Sequence, residues 1–357
     1  MRKPAVYVAL QQFCESDHRP LALLQEAGCV VRLNTLGRRL RRDEMASVLQ
    51  GAEGVLAGIE PYEAEVLARL PHLRCISRCG AGTDSIDLEA ARRQGVAVYT
   101  TPDEAVEPVA QLTVGMILAL ARHLLWHNAE MHAGVWNKRT GFLLSEWTIG
   151  LVGFGRIGQA VERHLRGFGP RMLIADPCLD AQHLPAGVER RTLQSLLAEA
   201  DLVSLHAARR EQEGPLLGRE ELDRMKRGSY LVNTARGFLV DEQVLYEKLR
   251  SGHLAGAAVD AFQREPYHGP IAHLPNVVCT PHIATLTRAS RAAMEWRCAQ
   301  NLVKHFTLPQ LHNSNKLSVR RVSKRMKPED VKSVEASAAS WNVSQGAERP
   351  RGLRHQR

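Results

Sequence analysis

No apolar run in the 357-residue chain reaches the ~18 residues that a membrane-spanning helix needs. The first residues, Met1-Arg2-Lys3-Pro4, lead straight into strand-like Ala5-Val6-Tyr7-Val8-Ala9-Leu10, which lacks the length and cleavage site of a secretory signal. A soluble, cytoplasmic protein with no membrane partner is expected. The seven cysteines (Cys14, Cys29, Cys75, Cys79, Cys178, Cys279, Cys298) are odd in number and form no CxxC pair. Several sit in apolar runs, where Cys acts as a small hydrophobe. Neither a disulfide framework nor a zinc site is indicated, and no metal is expected. No internal repeat of solenoid period is visible.

The net charge of +9 suggests nucleic acid until it is located. Eleven Lys/Arg against four Asp/Glu lie between Lys316 and Arg357, so this stretch carries +7 of the total. The rest of the chain is nearly neutral, and nucleic acid is not expected as its partner. Beyond Thr307 the apolar periodicity stops, and the polar, Ser- and Arg-rich remainder has one aromatic, Trp341. Such a composition buries too little apolar surface to offset the entropy of ordering, so residues 311–357 are expected to form a disordered basic tail.

What is present is organised around Thr148 to Asp176. Thr148-Ile149-Gly150-Leu151-Val152 reads as a short buried strand, β-branched and apolar. It runs into Gly153-Phe154-Gly155-Arg156-Ile157-Gly158 and a helical stretch that Gly169-Pro170 stops. A second apolar run, Met172 to Ala175, ends at Asp176, 18 residues after the last glycine. Gly153 permits the tight turn, Gly155 lets backbone approach a pyrophosphate, and Gly158 lets the helix pack close to the sheet. The free amides at the helix start, among Arg156 and Ile157, bind phosphate. Asp176 can accept from two ribose hydroxyls, and Pro177-Cys178-Leu179 brings no cation to neutralise a 2′-phosphate. Strand, glycine loop, helix and acid at the right offset together read as a dinucleotide site that prefers NAD to NADP.

Around that unit, short strands alternate with helices. Strands are expected near 5–10, 29–34, 54–58, 73–78 and 96–99, then at 201–206, 230–235, 257–260 and 277–279. The alternation predicts parallel sheets with helices on both faces, and the length predicts two domains. A long helix, apolar nearly all round, is expected from Val109 to His127, and a last one from Ala289 to Phe306. Arg78-Cys79-Gly80-Ala81-Gly82-Thr83-Asp84 follows the fourth strand, with two glycines that let amides converge on a carboxylate.

Three polar residues follow predicted strand ends: Arg236 after Asn233-Thr234-Ala235, Glu265 after Asp260-Ala261-Phe262-Gln263-Arg264, and His282 after Thr280-Pro281. Ligands of open α/β sheets bind outside the carboxyl ends of the strands. Singly, each has a plain reading as an exposed polar residue. Beside a dinucleotide site they make the set that hydride transfer requires.

At these residues the chain resembles the D-isomer-specific 2-hydroxyacid dehydrogenases, in the branch similar to phosphoglycerate dehydrogenases. Asn233 to Gly237, Asp260 to Pro266, Thr280 to His282, Gly153 to Gly158 and Arg78 to Asp84 match in order, over about residues 5 to 306. The resemblance implies a Rossmann NAD-binding domain (104–282) inserted into a flavodoxin-like substrate domain (1–103 and 283–310), and a homodimer. Arg236 would grip the carboxylate and carbonyl oxygen of a 2-hydroxy or 2-keto acid, helped by the Ala81 and Gly82 amides. His282 would be general acid or base, and Glu265 would orient the imidazole and favour its protonated form. Thr234 and Asp260 would lie by the nicotinamide, Asp260 accepting from its amide.

Departures from the family pattern are Glu146-Trp147 where Gly-Lys is common, Phe238 in place of a glycine, and Ala207-Ala208 for Thr-Pro. The candidate substrates are 3-phosphoglycerate, hydroxypyruvate and glyoxylate. Glu60 stands near where phosphoglycerate enzymes place an Arg for the phosphate, which counts against the first. A different class of function, an NAD-sensing transcriptional co-regulator on the same fold, has only the basic tail in its favour.

Overall fold

The structure, a computed structural model, describes residues 3–179, 184–208 and 214–307. The expected basic tail lies outside the described residues. Twelve strands form two wholly parallel sheets among the described residues. The first holds β1 (Ala5–Val8), β2 (Val30–Leu33), β3 (Gly54–Ala57), β4 (Cys75–Arg78) and β5 (Ala97–Thr100), in the order β2-β1-β3-β4-β5. The second holds β6 (Thr148–Val152), β7 (Arg171–Ala175), β8 (Val188–Arg190), β9 (Leu202–Leu205), β10 (Ser229–Asn233), β11 (Leu254–Val259) and β12 (Val277–Cys279). Its order is β12-β11-β10-β9-β6-β7-β8. This is the doubly wound α/β architecture expected, and in each sheet the order reverses beside the first strand, β1 or β6.

The central strands are buried on both faces, which is why they read as continuous apolar runs: β3 and β9 have no exposed residue. Helices α1 (Arg19–Glu26), α2 (Met45–Val48), α3 (Ala64–Ala68) and α4 (Leu88–Arg93) flank the first sheet. α5 (Val106–Ala121), α6 (Leu124–His132), α7 (Arg156–Leu165), α8 (Leu193–Glu199), α9 (Arg219–Arg224) and α10 (Glu242–Arg250) belong to the second. The last helix, α11 (Arg288–Thr307), returns to the first sheet, where Met294, Cys298, Ala299 and Leu302 pack with Val6, Leu56 and Cys75. That return makes the second sheet an insertion in the first.

The single helix expected over Val109–His127 is two. α5 ends at Ala121 and α6 leaves at 65°, with His123 between them in the left-handed region at φ +50°. The cause lies downstream: the Phe142 amide donates to the Ala121 carbonyl at 2.9 Å, taking the acceptor that a continuing helix would use. Burial stops there too. α5 buries Met116, Ile117, Leu120 and Ala121, whereas no residue of α6 is buried. No single helix among the described residues is long and apolar enough to cross a membrane. Trp147, one of the departures, is buried and stacks on Tyr230 with ring centroids 5.0 Å apart.

Candidate active site

Between the carboxyl ends of the two sheets lies a cleft of about 1080 Å³. Residues of the Gly80–Asp84 loop line it from one side, and Arg236, Glu265 and His282 from the other. β10, β11 and β12 are adjacent, so the segments leaving them place these three side chains at neighbouring sheet positions.

The glycine loop is built as the spacing predicts. Gly153 has φ +91°, and a Cβ there would lie 2.6 Å from the Ala207 amide and the His206 carbonyl. A Cβ on Gly158 would lie 2.5 Å from the Gly153 carbonyl, so helix α7 packs onto the turn only because the side chain is missing. Gly155 is the N-cap of α7, and no side chain caps that helix. A Cβ on Gly155 would meet nothing within 4 Å, so this amide end opens on free space. Ile157 lines the cleft, while the Arg156 side chain turns away to pair with Asp103.

Asp176, at the tip of β7, accepts from the Phe154 amide at 2.7 Å and the Cys178 amide at 2.8 Å, one on each oxygen. The carboxylate therefore also clamps the glycine loop. Each oxygen keeps acceptor capacity for a ribose hydroxyl. An uncapped helix start, open space at Gly155 and an acid at the strand tip fit a dinucleotide.

The substrate side is held by charge. Arg236 Nε donates to Asp84 Oδ2 at 2.7 Å, and Nη1 donates to the Ala235 carbonyl at 2.8 Å. That leaves Nη2 facing Gly82, where a Cβ would lie 1.9 Å from it. Among the described residues nothing accepts from the Ala81 or Gly82 amides. His282 has φ +55° and its Nδ1 sits 2.9 Å from both Glu265 oxygens, which leaves Nε2 as the free nitrogen. Burial pushes the Glu265 carboxyl up, but the His282 bond and charge, the Phe262 amide and Arg236 outweigh it and bring it below the usual value.

Thr234 shares a 2.8 Å hydrogen bond with Thr113 of α5. Asp260 also holds the His282 loop. It is fully buried, and its carboxylate accepts from Thr280 Oγ1 (2.6 Å), the Ile283 amide (2.8 Å) and the Ala284 amide (3.0 Å). These bonds anchor the His282 loop; the expected nicotinamide contact would use the acceptor capacity that three bonds leave on two oxygens.

Two residues were missed from sequence. Asp84 was read as part of a loop, and its partner Arg236 is 152 residues away. His206 lines the cleft with Nε2 2.9 Å from Ser204 Oγ, and burial lowers it to about 4, so it is neutral at pH 7. Only the fold brings these groups to the cleft.

Residues 114–284 match the family model described as D-isomer specific 2-hydroxyacid dehydrogenase, NAD binding domain. The glyoxylate reductase of Thermofilum pendens is 35% identical over 338 residues, which is 91% of this chain and 98% of that protein. The chain belongs to the D-isomer specific 2-hydroxyacid dehydrogenases. The hydroxypyruvate reductase of Thermotoga maritima is 33% identical over 279 residues, 76% of this chain and 90% of its own. The crystal structure of D-lactate dehydrogenase from Aquifex aeolicus complexed with NAD and lactic acid superposes with a TM-score of 0.73. It is 25% identical and covers 85% of this chain and 95% of that one. As a member of this family the protein is an NAD-dependent oxidoreductase that interconverts a 2-hydroxy acid and its 2-keto acid.

Because Asp176 would face an added 2′-phosphate with like charge, catalytic efficiency with NADH should exceed that with NADPH by at least about tenfold, equivalent to ~1.4 kcal/mol. Equal efficiencies in steady-state assays would show that Asp176 does not select the cofactor.

Proposed function

We propose that this dehydrogenase reduces small 2-keto acids of the glyoxylate and hydroxypyruvate kind, with Arg236, His282 and Glu265 as its working residues. The carrying observation is the His282–Glu265 pair, 2.9 Å apart, in the same cleft as an Arg236 whose Nη2 points at the Gly82 backbone. Relatives named for glyoxylate and hydroxypyruvate reduction support the substrate range.

When bound, reduced NAD supplies the hydride. The substrate carboxylate sits against the Ala81 and Gly82 amides and Arg236, whose fork of donors matches two oxygens at once. Asp84 fixes the guanidinium from behind. His282 Nε2 donates its proton to the carbonyl oxygen as that oxygen gains negative charge, and accepts it back in the oxidative direction. Glu265 holds Nδ1–H, which sets the ring's orientation and stabilises the imidazolium. Since its carboxyl lies below the usual value, this stabilisation is fully present above the ordinary carboxylate range and is lost as pH falls through the lowered value.

A second copy of the chain is the proposed partner. α6 and the segment after it expose Leu124 (52%), Met131 (55%), Trp136 (77%) and Leu143 (63%), four large apolar side chains within 20 residues of chain. Sedimentation velocity should give a dimer, and Trp136→Glu should give monomer; a wild type that sediments as a monomer at micromolar concentration refutes this.

Replacing Glu265 by Gln removes the charge and keeps the shape. The pH profile of keto-acid reduction should then move to lower pH, each unit of movement being about 1.4 kcal/mol of lost attraction. His282→Gln should lower turnover by roughly 10² to 10⁴, with NADH affinity kept. An unmoved profile together with an active His282→Gln variant would mean that another group supplies the proton.

A further inference from the structure

Two cysteines line the cleft, and their surroundings give them opposite characters. Cys279 ends β12, where burial pushes its thiol up to about 11, so it stays protonated at neutral pH. Cys79 follows β4 directly and is 5% exposed. Arg291 of α11 donates from Nη1 to the Cys79 sulfur at 3.4 Å. Nη2 of the same guanidinium donates to the Gln12 carbonyl at 3.0 Å and to Glu295 at 2.9 Å, which fixes the cation beside the sulfur.

A second thiol comes from the same helix. Cys298 lies about two turns beyond Arg291 on α11, and so on the same face. That face packs on β4: Arg291 reaches Cys79, and Asn301, about one turn past Cys298, donates from Nδ2 to Ser77 Oγ at 3.4 Å. Between these contacts Cys298 is fully buried, in the same apolar cluster as Cys79. Both are free thiols, and they hydrogen-bond to one another. That bond first, then the Arg291 and Arg78 charges, hold Cys79 below the usual thiol range against burial and Glu295. Burial pushes Cys298 well above it. A sulfur favoured as thiolate beside one kept as thiol is the arrangement of a reactive cysteine and its resolving partner.

We propose that Cys79 and Cys298 are a reversible redox pair, which hydrogen peroxide entering the cleft links as a disulfide that withdraws the substrate loop. The Cys79 thiolate attacks one peroxide oxygen and the O–O bond breaks. Hydroxide leaves with the proton that the thiol released, as water, and Cys79 becomes a sulfenic acid. The Cys298 sulfur then attacks the Cys79 sulfur; its proton goes to the departing hydroxide, and a second water leaves. Two thiols are oxidised and one peroxide is reduced to two waters. The effect on activity follows from connectivity. Cys79 is the root of the loop that runs through Gly80, at φ +145°, to the Ala81 and Gly82 amides assigned to the substrate carboxylate. Drawing its sulfur onto α11 strains the bond from its amide to the Ala57 carbonyl, now 2.8 Å, and pulls the loop back. The glycine loop of the cofactor site belongs to the second sheet and stays in place.

The test treats the full chain with hydrogen peroxide, alkylates and digests it, and maps the peptides by mass spectrometry, with parallel glyoxylate assays and NADH titrations. A peptide linked through Cys79 and Cys298 should form. Glyoxylate kcat/KM should fall by about 10², the cost of a misplacement near 1 Å, with NADH affinity kept, and dithiothreitol should restore it. Cys298→Ser should keep activity and stop at the Cys79 sulfenic acid, which dimedone traps. Absence of the linked peptide, in a sample where the exposed Cys178 is oxidised, overturns the pair. A linked peptide with unchanged kcat/KM overturns its hold on the substrate loop. The linkage is read by mass, so it stands or falls whether or not glyoxylate is the acid reduced.

Discussion

The carboxylate of Asp260 holds the reacting parts together. It sits at the end of β11 with no exposure to solvent and accepts three hydrogen bonds from Thr280, Ile283 and Ala284. Bonds to a charged acceptor contribute more than neutral ones, about 1.5–3 kcal/mol each, and a buried carboxylate left without them would be strongly unfavourable. The loop is therefore drawn onto the strand end, and His282 between its anchor points is left at φ +55° facing Glu265. Such a conformation is uncommon outside glycine and persists only where the surroundings over-determine it. The geometry of the proton donor follows from a group that does not touch the proton.

The opposite wall depends on charge across the cleft. Arg236 comes from the second sheet and Asp84 from the first, and their 2.7 Å bond brings the donors of one to the amide loop of the other. The same short loop carries Gly80 against Arg78 and Gly82 against Arg236. Side chains at either glycine would displace a guanidinium.

Much of this was legible in the sequence because it is local. The strands are short and apolar, and Gly153, Gly158 and Asp176 occupy offsets that only one kind of turn and strand pairing uses. Arg236, Glu265 and His282 each follow a strand end, so their convergence required only that β10, β11 and β12 be neighbours. What escaped depends on contacts between distant segments. The break between α5 and α6 is set by the Phe142 amide, which no helical pattern over 109–127 contains. That Asp260 also anchors the His282 loop escaped because its partners there lie 20 to 24 residues on. The neutral state of His206 is a consequence of burial alone.

The central claim is that Arg236 and the Gly82 loop hold the carboxylate while His282 holds the carbonyl oxygen, so that one face of the planar keto carbon is always turned to the cofactor. The most direct measurement is the configuration of the product. Purified protein given NADH and hydroxypyruvate should yield D-glycerate alone when the glycerate is resolved on a chiral column. A racemic product would contradict the account, because three fixed contacts on a planar centre admit hydride from one side only, and the L-isomer alone would contradict the D-isomer specificity of the family.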